Sequence, residues 1–297
     1  MKGMFGNWKL FIVLVLSLVL IAITACTSVE EEKTVIRMAD TPWSCTPPLN
    51  LRVKIILEEM GYEVELVSLS MDMAFNAVAA GEIDVIMDAW VLNYPEKLIG
   101  LGDTIAIVGL NYGNAIQGTF IPVATTPLEL TTMDQLNDYI ELFDNDGDGR
   151  GELYGLEPGT GGNRIQLLQI ERLGLNYDLV ESGEFAVIAE LESRMTSGEA
   201  MAFQMWKPHW IFGKYDLRFL EDPTGSIPAS IVMTVVNEEL LQTAPDVCLL
   251  LNRFETTVDE VSDMIYEAEV LGRDPMDIAQ EWIENNRDKV DEWLQVE

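Results

Sequence analysis

Positive charge is scarce in this chain of 297 residues: Lys and Arg together number 18 against 50 Asp and Glu, for a net charge of −32. Such a carboxylate-rich surface repels phosphate, which excludes nucleic acid as a partner and argues against docking on anionic lipid. The three cysteines are too few for a disulfide scaffold. The chain has neither a Walker A loop nor a G-x-S-x-G motif, and we therefore do not expect an enzyme. Its hydrophobic fraction of 48% is ample for a folded core.

The N-terminus carries the longest apolar run, residues 10–25, behind Lys2 and Lys9. This run is shorter than the ~20 residues of a spanning helix, and with its positive start it predicts a secretory signal peptide over residues 1–25. The sequence Ile-Thr-Ala-Cys that ends at Cys26 resembles the bacterial lipobox. The resemblance implies cleavage before Cys26, a lipid on its sulfur, and a flexible tether over residues 26–34. An uncleaved anchor helix is the alternative, and both place the chain outside the cytoplasm on the cell membrane.

Strand-like and helix-like segments alternate through the mature chain, and this alternation predicts an α/β fold. Two crossings between lobes are expected near residues 120–126 and 217–231. The predicted organisation is a first lobe of residues 35–121, a second lobe of residues 122–216, and a return to the first lobe over residues 217–297. The patterns also predict separate strands at residues 105–110 and 115–123, and a helix over residues 132–142.

Three tryptophans, Trp43, Trp90 and Trp206, each follow a predicted strand directly. Ligands of open α/β sheets bind outside the carboxyl ends of the strands, so these indoles can converge on one cleft. Their faces attract cations through the ring quadrupole, which suits a quaternary ammonium group. The alternative is that the tryptophans pack in the bottoms of the lobes.

Three sequence strings, at residues 61–90, 154–164 and 205–223, resemble the glycine betaine/choline family of ABC-transporter substrate-binding proteins. The resemblance extends over essentially the whole mature chain. It implies a two-lobed fold of the type II periplasmic-binding-protein kind, which closes on a ligand in the interlobe cleft. It also implies an aromatic box walled by the three tryptophans, an ABC permease transmembrane subunit as partner, and no required cofactor.

Further ligand contacts are implied by the same resemblance at Tyr112, Asn163 and His209. In glycine betaine binders a histidine commonly holds the ligand carboxylate, although His209 can instead cap or pack a helix start. Tyr112 can equally be a surface residue at a strand end. Choline-type members often carry an acid just after the first tryptophan, whereas Ser44 and Cys45 stand there. This difference favours glycine betaine, while the string at 154–164 resembles the choline-type members.

An acidic loop contains Asp144, Asp146, Asp148 and Glu152 at the spacing of a calcium loop. Calcium prefers six to eight oxygen ligands, so a structural calcium ion is predicted, with Glu152 in place of the missing twelfth-position Glu. A solvated acidic turn is the alternative. In an oxidising compartment Cys45 and Cys248 can pair, although their spacing does not decide it.

The sequence therefore predicts an extracytoplasmic substrate-binding lipoprotein of an ABC importer. The expected ligand is glycine betaine, with choline, carnitine, proline betaine and trimethylamine oxide as alternatives. A function of another class, an acidic calcium-binding surface lipoprotein, is also compatible with the acidic loop.

Overall fold

The structure is a computed structural model that describes residues 34–227 and 230–295. Cys26 and the predicted signal peptide lie outside the described residues. The strands are β1 (Val35–Asp40), β2 (Glu63–Ser68), β3 (Val85–Ala89), β4 (Ile105–Pro122), β5 (Gly151–Tyr154), β6 (Tyr177–Val180), β7 (Ala202–Lys207), β8 (Leu217–Phe219) and β9 (Ser230–Asn237).

The helices alternate with the strands at first and then dominate the C-terminal part. They are α1 (Thr46–Glu59), α2 (Met71–Ala79), α3 (Pro95–Leu101), α4 (Ile140–Phe143), α5 (Gly161–Leu173), α6 (Glu184–Ser197), α7 (Ile211–Lys214), α8 (Leu240–Thr243), α9 (Pro245–Arg253), α10 (Val258–Glu269), α11 (Pro275–Asn285) and α12 (Arg287–Leu294). In the part of the chain that the structure describes, no helix has the length and apolarity to cross a membrane.

Eight of the strands in the described residues follow one another in the order β2-β1-β3-β9-β4-β7-β5-β6, and β8 pairs with the end of β4. The neighbours β2-β1-β3 and β7-β5-β6 are parallel, whereas β9 and β4 run antiparallel to theirs. We call the part built on β1, β2, β3 and β9 the first lobe, and the part built on β5, β6, β7 and β8 the second lobe. In each lobe the parallel strands are joined by helical crossovers, and ligands of such sheets bind at the carboxyl ends of the strands.

Strand β4 belongs to both lobes. Residues 105–115 pair with β9, and residues 116–122 pair with β7 and β8. The sequence predicted two strands with a break in this range, and the structure has one strand with three register shifts against β9. Asn114 adopts a left-handed backbone with φ 58° at the last shift, a conformation that Asn tolerates better than most residues. The pairing partner of β4 changes from β9 to β7 between residues 115 and 116, before the predicted lobe boundary at residues 121–122. That boundary stays a prediction.

The C-terminal helices pack on the first lobe. Arg52 of α1 is fully buried, and its guanidinium lies 4.6 Å from the ring centroid of Trp282 and 5.2 Å from that of Phe254. Trp282 in turn stacks on Trp293 at 6.0 Å. Burial among aromatic faces lowers the pKa of Arg52 to about 10. Core packing therefore accounts for both C-terminal tryptophans.

The second lobe differs from the predicted elements in two places. The helix expected over residues 132–142 is a 3₁₀ helix, Met133–Tyr139, that continues into the short α4. It starts with a capping box between Thr132 and Gln135. Strands β6 and β8 were not predicted, since each has at most four residues and so gives little periodicity.

Candidate functional site

Four aromatic side chains line one cavity at the strand ends. Trp43 follows β1, Trp90 directly follows β3, and Trp206 is the penultimate residue of β7. Tyr94 reaches the same cavity from the start of α3. The first two tryptophans and Tyr94 belong to the first lobe and Trp206 to the second, so both lobes contribute walls. The structure thus brings together the three tryptophans that the sequence singled out.

Trp43 and Trp206 form a corner of this cavity. Their ring centroids are 5.3 Å apart and their planes meet at 89°, the edge-to-face geometry that aromatic quadrupoles favour. Trp206 is buried, whereas Trp43 and Trp90 are half-buried. Accessible indole faces that surround a cavity can hold a cation within reach of several rings.

A buried carboxylate, Asp88 of β3, is hydrogen-bonded to Trp90 and Cys45 of the cavity wall. Its Oδ1 accepts a hydrogen bond from Trp90 Nε1 at 3.2 Å, which orients that indole. Its Oδ2 accepts from Cys45 Sγ at 3.1 Å and from Thr46 Oγ1 at 3.2 Å. Burial raises the pKa of Asp88 to about 6 against the opposing effect of these donors, and repulsion from Glu184 adds to the rise. Burial also raises the pKa of the Cys45 thiol well above its usual range.

The cavity is closed on one side by a reciprocal amide pair. Asn93 Nδ2 donates to Gln117 Oε1, and Gln117 Nε2 donates to Asn93 Oδ1, both at 2.8 Å. Asn93 belongs to the first lobe, while Gln117 lies where β4 pairs with the second. The pair therefore joins the two lobes beside the cavity.

The N-terminus of α5 approaches the first lobe closely because it begins with two glycines. A Cβ at Gly161 would lie 2.6 Å from Asn93 Cβ, and a Cβ at Gly162 would lie 2.0 Å from Gln204 Nε2. The Gly161 N–H donates to Tyr94 Oη at 3.3 Å, and the Arg164 guanidinium lies 5.0 Å from the Tyr94 ring centroid. A larger residue at Gly161 would push α5 away from the first lobe, whereas one at Gly162 would clash with Gln204 of β7 inside the second lobe.

His209 lies behind Trp206 rather than on the cavity wall, which differs from its expected position. Its ring is 5.6 Å from that of Trp206. Its Nδ1 accepts the Ile211 N–H at 3.1 Å, so Nε2 carries the proton and donates to Glu184 Oε1 at 3.0 Å. Both ring nitrogens are therefore occupied by protein groups.

Asn163 and Tyr112 also lie off the cavity wall. Asn163 Oδ1 accepts the Leu156 N–H at 2.6 Å, and its Nδ2 donates to Leu156 O at 2.8 Å and to Glu181 Oε1 at 2.9 Å. These bonds hold the loop that precedes α5, because Asn163 sits in the first turn of that helix. Tyr112 is buried in the core of the first lobe, and burial raises the pKa of its hydroxyl well above the usual range.

The acidic loop brings three of its four predicted ligands together. Oxygens of Asp144, Asp146 and Glu152 lie within 4.8 Å of one another. Asp148 is outside this group, and its Oδ1 accepts the Arg150 N–H at 2.8 Å. The Asp144 carboxylate already accepts three backbone N–H groups at 2.8–3.1 Å, which keeps the loop folded. The calcium site stays a prediction.

Two candidate functional residues, Asp88 and Glu184, were not identified from the sequence. Asp88 directly precedes the Ala89-Trp90 pair at a strand end, and Glu184 opens α6 far from the tryptophans in sequence. A carboxylate two residues before a strand-end tryptophan is a signal that could have indicated Asp88. Glu184 gives no such signal, because only the folded chain brings it to Ser44 and His209. Cys45 and Cys248, for which pairing was left open, are both buried free thiols.

The mixed sheet shared by two lobes, with a cavity lined from both at the strand ends, defines a two-lobed substrate-binding protein of the type II periplasmic kind. The chain belongs to the family described as the substrate binding domain of the ABC-type glycine betaine transport system, which matches residues 34–285. This is a family of extracytoplasmic binding proteins for transport and not an enzyme class.

Relatives of known name share part of the chain. It is 34% identical over 119 residues to the glycine betaine/carnitine transport binding protein of Listeria monocytogenes, a match that covers 40% of this chain and 39% of the relative. It is 28% identical over 191 residues to the glycine betaine-binding periplasmic protein of Dickeya dadantii, covering 60% of this chain and 57% of the relative. The chain thus spans between about two-fifths and three-fifths of the length of these relatives.

A solved structure shows the same fold over nearly the whole length. The glycine betaine, L-proline ABC transporter binding protein of Borrelia burgdorferi superposes with a TM-score of 0.80 at 24% identity, over 88% of this chain and 97% of that chain. The similarity at this identity establishes the fold alone, and the expected two-lobed architecture is confirmed.

Proposed function

We propose that this protein captures a quaternary ammonium compound outside the cytoplasm and delivers it to the transmembrane permease of an ABC importer. The observation that carries the proposal is the convergence of Trp43, Trp90 and Trp206 on one cavity. A quaternary ammonium group cannot donate a strong hydrogen bond, so ring faces are its natural partners. Each desolvated face contributes about 2 kcal/mol or more.

The ligand class is supported by the relatives, whose names include glycine betaine and carnitine. Glycine betaine is the ligand that the sequence favours. Choline, carnitine, proline betaine and trimethylamine oxide share the methylated nitrogen and are the alternatives.

Calorimetry and thermal shift with these five compounds test the proposal, with glycine and ammonium chloride as unmethylated controls. A ligand at about 100 times its Kd adds about 2.7 kcal/mol to the free energy of unfolding, so at least one methylated compound should raise the Tm. The controls should leave the Tm unchanged. A folded protein that binds none of the five would overturn the proposal.

Anchoring by a lipid on Cys26 is part of the same proposal. It is supported by the lipobox-like end of the apolar run, and it would keep the binding protein beside its permease.

A second candidate function is that of an acidic calcium-binding surface lipoprotein. It is favoured by the approach of the Asp144, Asp146 and Glu152 oxygens within 4.8 Å. The same titrations separate the two functions, because a surface protein of this kind would respond to calcium and to none of the methylated ammonium compounds.

A further inference from the structure

Glu184 is a buried carboxylate that crosses between the lobes behind the tryptophan corner. It opens α6 of the second lobe and its side chain is 1% exposed. Its Oε2 accepts the backbone N–H of Ser44 at 3.1 Å, and its Oε1 accepts His209 Nε2 at 3.0 Å. Ser44 follows Trp43 in the chain, and the His209 ring packs on Trp206. Each donor therefore adjoins one wall of the corner.

These two donors are the groups that a ligand carboxylate would need. The backbone N–H and the imidazole N–H point at one carboxylate, and that carboxylate belongs to the protein. Ser44, His209 and Glu184 are not among the residues that line the cavity, so a ligand in the cavity does not reach these donors. Glu184 keeps them, because a buried charged group without its donors is strongly unfavourable.

A second protein carboxylate, Asp88, is hydrogen-bonded to two residues of the cavity wall, Cys45 and Trp90, and is itself buried. Among the described residues, those that line the cavity include no Lys, Arg or His. His209 is neutral in the observed hydrogen-bonding pattern. The surroundings thus attract a net cation and repel a ligand carboxylate.

We propose that Glu184 is a specificity-determining residue: its carboxylate is held behind the tryptophan corner by Ser44 and His209, so that the cavity selects quaternary ammonium cations without a carboxylate over betaines. This inference rests on the proposed function and refines its ligand. It reverses the preference for glycine betaine drawn from the sequence, because the acid absent beside Trp43 is supplied by Glu184 and Asp88.

Gln204 indicates what else the ligand carries. Its side chain lines the cavity and is buried, and its Oε1 has no hydrogen-bond partner within the described residues. An unpartnered acceptor fits a hydroxyl donor. A quaternary ammonium alcohol such as choline therefore matches both the charge and the hydrogen bonding.

The test is calorimetry of choline and glycine betaine with wild type and Glu184→Ala. Wild type should bind choline about tenfold or more tighter, a margin expected when a polar mismatch is buried. Glu184→Ala removes this negative charge from behind the tryptophan corner, so choline should bind more weakly, glycine betaine should bind more tightly, and their affinity ratio should shift about tenfold or more. Glu190→Ala removes the same charge from the exposed side of α6, next to Arg194, and should leave the ratio unchanged.

Glu184→Gln provides a second variant if Glu184→Ala does not fold, which its Tm reveals. It keeps the shape but loses the charge, and choline should again weaken relative to glycine betaine. Equal or tighter wild-type binding of glycine betaine, or an unchanged ratio in the variants, overturns this inference and leaves the proposed function standing. If folded wild type binds no methylated ammonium compound, the proposed function fails and this inference fails with it.

Discussion

The indole rings of Trp43 and Trp206 meet edge to face with their centroids 5.3 Å apart, although they come from different lobes. The pair therefore exists only while the lobes are together. A ligand that contacts both rings binds the closed arrangement better than an open one, and this difference in affinity is what drives closure.

Replacing Trp206 by Ala should weaken ligand binding by about 1–2 kcal/mol or more, because one ring face and the support of Trp43 are lost together. Calorimetry with choline and glycine betaine measures the loss. Trp206→Phe keeps an aromatic face and should retain part of the affinity. Unchanged affinity in Trp206→Ala with a normal Tm would exclude this indole from the binding site.

Ligand binding should decrease the radius of gyration measured by solution scattering, because contact with both lobes favours the closed form. The crossings predicted near residues 120–126 and 217–231 would absorb the backbone change. Trp206→Ala should abolish the decrease. Identical scattering curves with and without a calorimetrically confirmed saturating ligand would contradict closure.

Asp88 should make stability fall as pH rises. Its folded pKa of about 6 is raised from the ordinary 3.8, chiefly by burial, so between these values the folded state holds more protons than the unfolded state. The free energy of unfolding therefore decreases through this window. Asp88→Asn removes the contribution, and it should gain stability relative to wild type between about pH 4 and about pH 7, on the order of 2 kcal/mol.

Urea unfolding of both proteins at the two pH values measures this difference. The groups around Asp88 are Cys45, Thr46, Trp90 and Glu184, and they are unchanged in the variant. Parallel pH profiles for wild type and Asp88→Asn would show that this carboxyl titrates normally.

Calcium should raise the Tm if the acidic loop binds it, because an ion held only by the folded state stabilises that state. Asp144→Asn should abolish the response, since Asp144 both offers a ligand oxygen and accepts the loop N–H groups. Asp148→Asn is the matched control, because Asp148 lies outside the three-residue group. A calcium-independent Tm in wild type would leave an acidic turn as the correct description.

Mass spectrometry of the mature N-terminus should find Cys26 as the first residue with a diacylglycerol on its sulfur. Cys26→Ala should block processing at this position. A product that keeps residues 1–25, or one that begins elsewhere without lipid, would refute the anchor.

The tryptophans could be placed from the sequence because their positions follow a general rule. Each comes at a strand end, and the carboxyl ends of the strands border the cleft of such a sheet. His209 was harder to place, because it lies beyond the end of a strand. Strand β7 ends at Lys207 and His209 follows in the loop after it, where both ring nitrogens are bonded to protein groups.

The charge of the site could not be predicted from the sequence. Glu184 is one of 50 acidic residues, and nothing in its neighbourhood along the chain distinguishes it. Its significance comes from contacts 140 and 25 residues away, with Ser44 and His209. The same holds for the Asn93–Gln117 amide pair, because such partners are chosen by tertiary packing and not by local pattern.

Strand β4 connects the two lobes mechanically, because it pairs with strands of both. It runs unbroken from one lobe to the other, and its register shifts and the left-handed Asn114 lie just before the change of partner. A bulged strand bends locally, so we expect closure of the lobes to bend β4 at these residues. Because both lobes share this strand, a change of its bend near Asn114 would change the distance between the tryptophans of the two lobes.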